Sequence, residues 1–107
     1  MTPQEMKTLD KWLAEKVMGW TIIDDLHIKD GHGNYVFDGS PWHPTTSIEQ
    51  AMMCAKQVGF CLTLYIYSNR VYTMFDTHES SVIISVANGE NAEAEAISLA
   101  IRAAVEK

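Results

Sequence analysis

Apolar residues recur at helical spacing from the first turn of the chain. Met6, Leu9, Leu13 and Val17 form one stripe, while Glu5, Lys11, Glu15 and Lys16 lie largely off it. Thr2 and Pro3 suit the cap and first turn of this helix. Gly19 sits where a left-handed residue would end it, with Trp20 folding back on Ala14. Trp20 to Ile28 reads as one β-branched strand interrupted at Asp24 and Asp25, where a bend or exposed bulge is expected. Asp30 to Asn34 is turn chemistry, and Tyr35 to Phe37 reads as a short returning strand.

Asp38 to Pro44 reads as an irregular loop held by Pro41 and Pro44. The segment Thr45-Thr46-Ser47-Ile48-Glu49-Gln50 holds a capping box in either of two registers, Thr46 with Glu49 or Ser47 with Gln50. A second helix follows, with Ile48, Ala51, Met52, Ala55 and Val58 on one face and its end at Gly59. Phe60, Leu62, Leu64 and Ile66 then alternate with Cys61, Thr63, Tyr65 and Tyr67, which predicts a strand with two different faces. Ser68-Asn69 marks a tight turn into Arg70 to Phe75, and Val82 to Val86 is a further strand. The last helix carries Ala94, Ile97, Ala100, Ile101, Ala104 and Val105, an alanine-rich face suited to close packing on a sheet. The pattern predicts the order α-β-β-α-β-β-β-α and a mixed α/β (α+β) fold with a mostly antiparallel sheet.

At 107 residues, 47% of them hydrophobic, the chain has length and material for one core, so residues 1–107 read as a single domain. No apolar run is long enough to span a bilayer, and no secretory leader is evident. The two cysteines, Cys54 and Cys61, match no zinc or redox spacing and read as small apolar residues of a cytoplasmic protein. A net charge of −6, with eight scattered basic residues, argues against general binding of DNA or RNA polymers.

Several segments resemble the phage ABA sandwich domain family, small bacteriophage and prophage proteins. The stretch Leu9-Asp10-Lys11-Trp12-Leu13-Ala14-Glu15-Lys16-Val17-Met18-Gly19-Trp20 is similar to the family's first helix and the strand after it. Trp42-His43-Pro44-Thr45-Thr46-Ser47-Ile48 resembles its aromatic-proline-hydroxyl approach to the second helix. Phe60 to Leu64 resembles its central strand, and Ala96 to Ala104 its alanine-rich last helix. The resemblance implies a three-layer α-β-α sandwich and brings no catalytic residues with it. Asp24 to Asp38 is longer than the family pattern, and Asp76 to Asn91 contains an additional strand-like run.

Catalytic patterns find little support. His27, His32, His43 and His78 have no metal-ligand spacing, so no metal site is expected. There is no Gly-x-Ser-x-Gly turn, and adjacent strand residues Asp24 and Asp25 point to opposite faces. The expectation is a non-enzymatic protein without a cofactor. Binding chemistry is better represented. Trp42, His43, Thr45, Thr46 and Ser47 gather an aromatic, an imidazole and hydroxyls at a helix N-terminus, where free N–H groups favour an anion such as phosphate. Tyr65, Arg70 and Tyr72, near the predicted hairpin with Tyr67, would add stacking surface and a cation. Helix capping by the hydroxyls, with Trp42 covering the core edge, also accounts for the first group.

One expected function is therefore a phage-encoded sponge that sequesters a nucleotide-type immune signal in the host cytoplasm. The alternative is an acidic protein that binds and inhibits a host factor, with the run Glu90-Asn91-Ala92-Glu93-Ala94-Glu95 as its foremost feature. Three tyrosines near one hairpin exceed what a small core covers, which points toward a homo-oligomer.

Overall fold

The computed structural model describes residues 1–24, 27–36, 41–59, 61–76 and 81–106. Helix α1 (Pro3–Trp12) opens with a complete capping box: the Thr2 hydroxyl accepts from the Glu5 N–H, and the Glu5 carboxylate accepts from the Thr2 N–H. It continues into a π-helical turn, Leu13–Val17, in which the Met18 N–H reaches the Leu13 carbonyl. Gly19, at φ 72°, ends the helix, and the Trp20 N–H returns to the Ala14 carbonyl at 2.9 Å. Leu9, Leu13 and Ala14 are fully buried, and each leucine contributes about 1.5–3 kcal/mol by leaving water.

The segment expected as one strand from Trp20 to Ile28 is instead a hairpin. Strand β1 (Thr21–Asp24) turns back into β2 (His27–Lys29), with Thr21 opposite Lys29 and Asp24 opposite His27. Aspartate is a poor strand former, and Asp24 ends β1 at the reversal. The Asp24 carboxylate accepts from His27 Nδ1 at 2.7 Å across the turn. Asp25 lies outside the described residues. Asp30 shapes the next turn by accepting from the Asn34 and His32 N–H groups, bonds that hold its carboxyl below the usual range. The chain then returns as β3 (Tyr35–Val36), completing a three-stranded antiparallel sheet, β1-β2-β3. Phe37, expected in that strand, lies outside the described residues.

Helix α2 (Ile48–Val58) takes the Ser47 register of the two possible caps, with the Ser47 hydroxyl accepting from the Gln50 N–H. The Gln50 side chain accepts instead from the His43 N–H and donates to the Pro41 carbonyl. Gly59, at φ 78°, ends the helix as expected. A second antiparallel sheet follows: β4 (Cys61–Ile66), β5 (Arg70–Asp76) and β6 (Ser81–Ala87), in that spatial order. Ser68-Asn69 makes the tight turn, closed by the Tyr67 N–H on the Arg70 carbonyl. Helix α3 (Ala92–Val105) buries Ala94, Ala96, Ile97, Ala100 and Ile101.

The fold is mixed α+β with antiparallel pairing, as the sequence pattern predicts. The element order differs from the expected one by a single strand, because the run from Trp20 to Ile28 is split into β1 and β2. Helix α3 lies across β5 and β6, and α2 packs beside it. Buried Ile28 joins the first sheet to Leu9 and Leu13 of the same core. Along β5, Phe75 joins that core, Val71 packs with Ala92 and Ala96 of α3, Thr73 is buried between them, and Tyr72 points away. The helices thus share the inner face of β4-β5-β6, and its outer face is open, displaying Tyr65, Tyr72 and Ile83.

The fully buried Thr73 hydroxyl has no hydrogen-bond partner among the described residues. Thr73→Val keeps the shape and removes that unsatisfied group. The variant is expected to unfold at higher urea concentration, with a gain of about 1 kcal/mol. An unchanged or lower midpoint would contradict the burial assigned to this side chain.

Candidate functional site

The eight residues expected to form one binding site fall into two separate places. The first is the approach to α2. Trp42 is only 8% exposed, its ring meets Trp20 edge-on with centroids 5.1 Å apart, and its indole N–H donates to the Asp10 carbonyl at 2.8 Å. Asp10 in turn holds Thr45 at both ends, accepting from its N–H at 2.9 Å and from its hydroxyl at 3.1 Å. The fully buried Ser98 hydroxyl of α3 donates to the Pro44 carbonyl at 3.1 Å. His43 Nδ1 lies 2.7 Å from the Thr46 hydroxyl, which also donates to the His43 carbonyl. The indole N–H and the Thr45 groups therefore point inward toward α1, while Thr46 and Ser47 serve the local turn and cap.

This joint contains the buried acid of the described residues, Asp10. Burial pushes the Asp10 carboxyl above its ordinary value of 3.8, with the two Thr45 hydrogen bonds opposing that shift. The neighbouring Cys54 thiol is pushed up to about 12, first by burial and then by the Asp10 charge. That thiol is not a nucleophile near neutral pH. A cleft of about 230 Å³ runs between α1 and the first sheet, lined by Lys7, Lys11, Ile22, Asp24, Ile28 and the rim of Trp42. Its lining includes two lysines and two aspartates, Asp10 and Asp24, so their formal charges offset.

The second place is the outer face of β4-β5-β6. Strand alternation puts Tyr65 directly opposite Tyr72, and Tyr67 meets Tyr72 edge-on with centroids 5.6 Å apart. Together with Asn69, Met74 and Ile83 they line a groove of about 480 Å³. Arg70 begins the same strand on the same face, its Nε donating to the Ser85 hydroxyl and Nη2 reaching the Ser85 carbonyl. The structure thus brings Tyr65, Arg70 and Tyr72 together and keeps them apart from Trp42 to Ser47. Met74 and Ile83 were not among the expected site residues. With a two-residue turn, positions 65, 67, 72 and 74 share one face, so the alternation of β4 and β5 was the available signal.

Of the histidines, His27 pairs with Asp24, His43 with Thr46, and His78 lies outside the described residues. Among the described residues no three metal-ligating side chains converge. In the acidic run, Glu95 is held by the N-terminal ammonium at 3.2 Å. No helix among the described residues is long and apolar enough to cross a membrane.

These features define an α+β domain with one open, aromatic sheet face. No protein-family model matches the chain, and no curated protein matches it. In fold it is similar to the crystal structure of a phage protein from Bacillus cereus, with a TM-score of 0.71 and 17% sequence identity. That alignment covers 100% of this chain and 90% of the other, so the likeness extends through the whole fold.

Asp10→Ala would leave the Thr45 N–H and hydroxyl unpaired in the interior and is expected to destabilise the chain by about 2–4 kcal/mol. Asp10→Asn preserves an acceptor and is expected to cost less. A raised carboxyl pKa means that the folded state binds the proton more tightly than the unfolded state. The stability contributed by that proton is fully present below pH 3.8 and is lost as the pH rises through the elevated folded value. Denaturation series over this range should therefore show native stability falling relative to Asp10→Asn. A constant difference between the two would contradict the assignment.

Proposed function

We propose that this chain is a non-enzymatic binding protein that captures a small ligand bearing a flat aromatic ring of nucleotide type. The ligand lies on the outer face of β4-β5-β6. The observation that carries this reading is the groove of about 480 Å³ formed by Tyr65, Tyr67, Tyr72, Met74 and Ile83. Its size falls within the range of small-molecule sites, and it combines apolar walls with few polar groups. Tyrosine rings present faces on which a base stacks at about 1–3 kcal/mol each. Asn69 offers an amide to a base edge, and Arg70 supplies a guanidinium suited to phosphate at the end of the same strand.

The biological role that fits is sequestration of a nucleotide signal, a sponge acting in the cytoplasm of a phage-infected host. Its support is the fold shared with a phage protein and the sequence resemblance to the phage ABA sandwich domain family. The Trp42 to Ser47 segment, in this reading, is the joint that holds the sheet and helices in place.

Calorimetric titration with mono-, di- and cyclic nucleotides tests the proposal. Binding of at least one class is expected, with Tyr72→Ala weakening it about ten- to hundredfold through lost stacking. Trp42→Phe should leave affinity within about threefold, because the indole lies outside the groove. Absence of binding up to about 1 mM, a limit near −4 kcal/mol, would exclude the reading. A loss on Trp42→Phe together with full binding by Tyr72→Ala would exclude it equally.

A further inference from the structure

We propose that two copies of this chain join edge to edge through β4, making one continuous six-stranded antiparallel sheet. The occupant of the β4 edge is a second copy of the same strand, related by a two-fold axis near Leu64. This interface lies at the strand edge and inner face, separate from the tyrosine groove on the outer face.

The backbone supplies the first argument. The Tyr67 N–H bonds the Arg70 carbonyl, and the register pairs Tyr65 with Tyr72 and Thr63 with Met74. In an antiparallel ladder such hydrogen-bonded pairs alternate. The N–H and C=O groups of Leu62, Leu64 and Ile66 therefore point away from β5, along an edge that no other described strand covers. Residues Cys61 to Ile66 include no charge, proline or glycine. Such residues are the usual means of keeping a free edge from pairing. Centring the register on Leu64 sets Leu62 of each copy opposite Ile66 of the other. Leu62, Leu64 and Ile66 then each donate and accept once across the axis.

The side chains supply the second. Beside β4 on its inner face lies an apolar groove of about 500 Å³, lined by Glu49, Met52, Met53, Ala55, Lys56 and Leu62. Ile66 shares the face of Leu62 and is 61% exposed. The Leu64-centred register carries each Ile66 to the groove beside the other copy's Leu62. One copy has an empty apolar groove and an exposed apolar side chain, and a two-fold axis satisfies both. The opposite edge, β6, differs: α3 crosses it, and Val82 on its inner face is buried.

Charge complementarity supplies the third. Glu49 and Lys56 stand two helical turns apart on α2, flanking Met52 and Met53 along the same groove. The two-fold axis that makes β4 antiparallel to its copy also makes the two α2 helices antiparallel. Glu49 of each copy then faces Lys56 of the other, with the methionines between. The patch is self-complementary, as an isologous interface requires.

Sedimentation equilibrium of the full chain tests the proposal. Twice the chain mass is expected at about 10–200 µM, the range of a modest interface. Ile66→Asp, confirmed as folded by circular dichroism, should sediment as a monomer throughout. Glu49→Lys and Lys56→Glu each place like charges across the axis and should raise the dimer dissociation constant about tenfold. The double reversal should restore it to within about threefold. A monomer at every concentration would overturn the proposal. So would a dimer unaffected by Ile66→Asp, or charge reversals whose effects simply add.

Discussion

The arrangement depends on one buried carboxylate. Asp10 of α1 receives both the N–H and the hydroxyl of Thr45, thirty-five residues away in sequence. The Asp10 carbonyl takes the Trp42 indole N–H, so a single residue of α1 fixes both ends of the segment leading into α2. Removing a carboxylate from water is costly, and the raised pKa records that cost. The hydrogen bonds offset it and define the geometry. Ser98 anchors the same segment from α3 through the Pro44 carbonyl, so the approach to α2 is bound to both flanking helices.

That joint determines which surface is available for recognition. A tryptophan, a histidine and three hydroxyls at a helix start have the composition of an anion socket. Here the tryptophan and Thr45 face α1, and Ser47 caps its own helix. With the helices committed to the inner face of β4-β5-β6, the outer face holds the aromatic residues that the core does not use. Tyr67 meets Tyr72 edge-on there, and Tyr65 stands opposite Tyr72 in the register, around an open groove. The two regions have opposite logic: one hides its polar groups, the other displays its apolar ones.

Helices were legible because their signals are local. The Thr2 capping box, the terminators Gly19 and Gly59, and the alanine face of α3 all follow from neighbouring residues. The two-faced character of β4 was equally visible, since alternation is a local property. The hairpin at Asp24 and His27 was not, because a two-residue reversal within a β-branched run lacks the glycine that usually announces it. The role of Asp10 was hidden for a different reason. Its partner Thr45 is distant in sequence, and an acid between Leu9 and Lys11 on an amphipathic helix gives no sign of burial. The candidate site was half visible: Tyr65, Arg70 and Tyr72 were recognisable as a cluster, whereas their separation from Trp42 is a tertiary fact.

The central claim is that the approach to α2 is a closed structural joint. Hydrogen exchange of the Thr45 amide, followed residue by residue, tests it most directly. An amide buried beneath α1 on the Asp10 carboxylate opens only with a large part of the structure. Its exchange is expected to be as slow as that of Ile97 and Ile101 in the core of α3. Exchange at the rate of an exposed loop would show the segment to be open and would contradict the account.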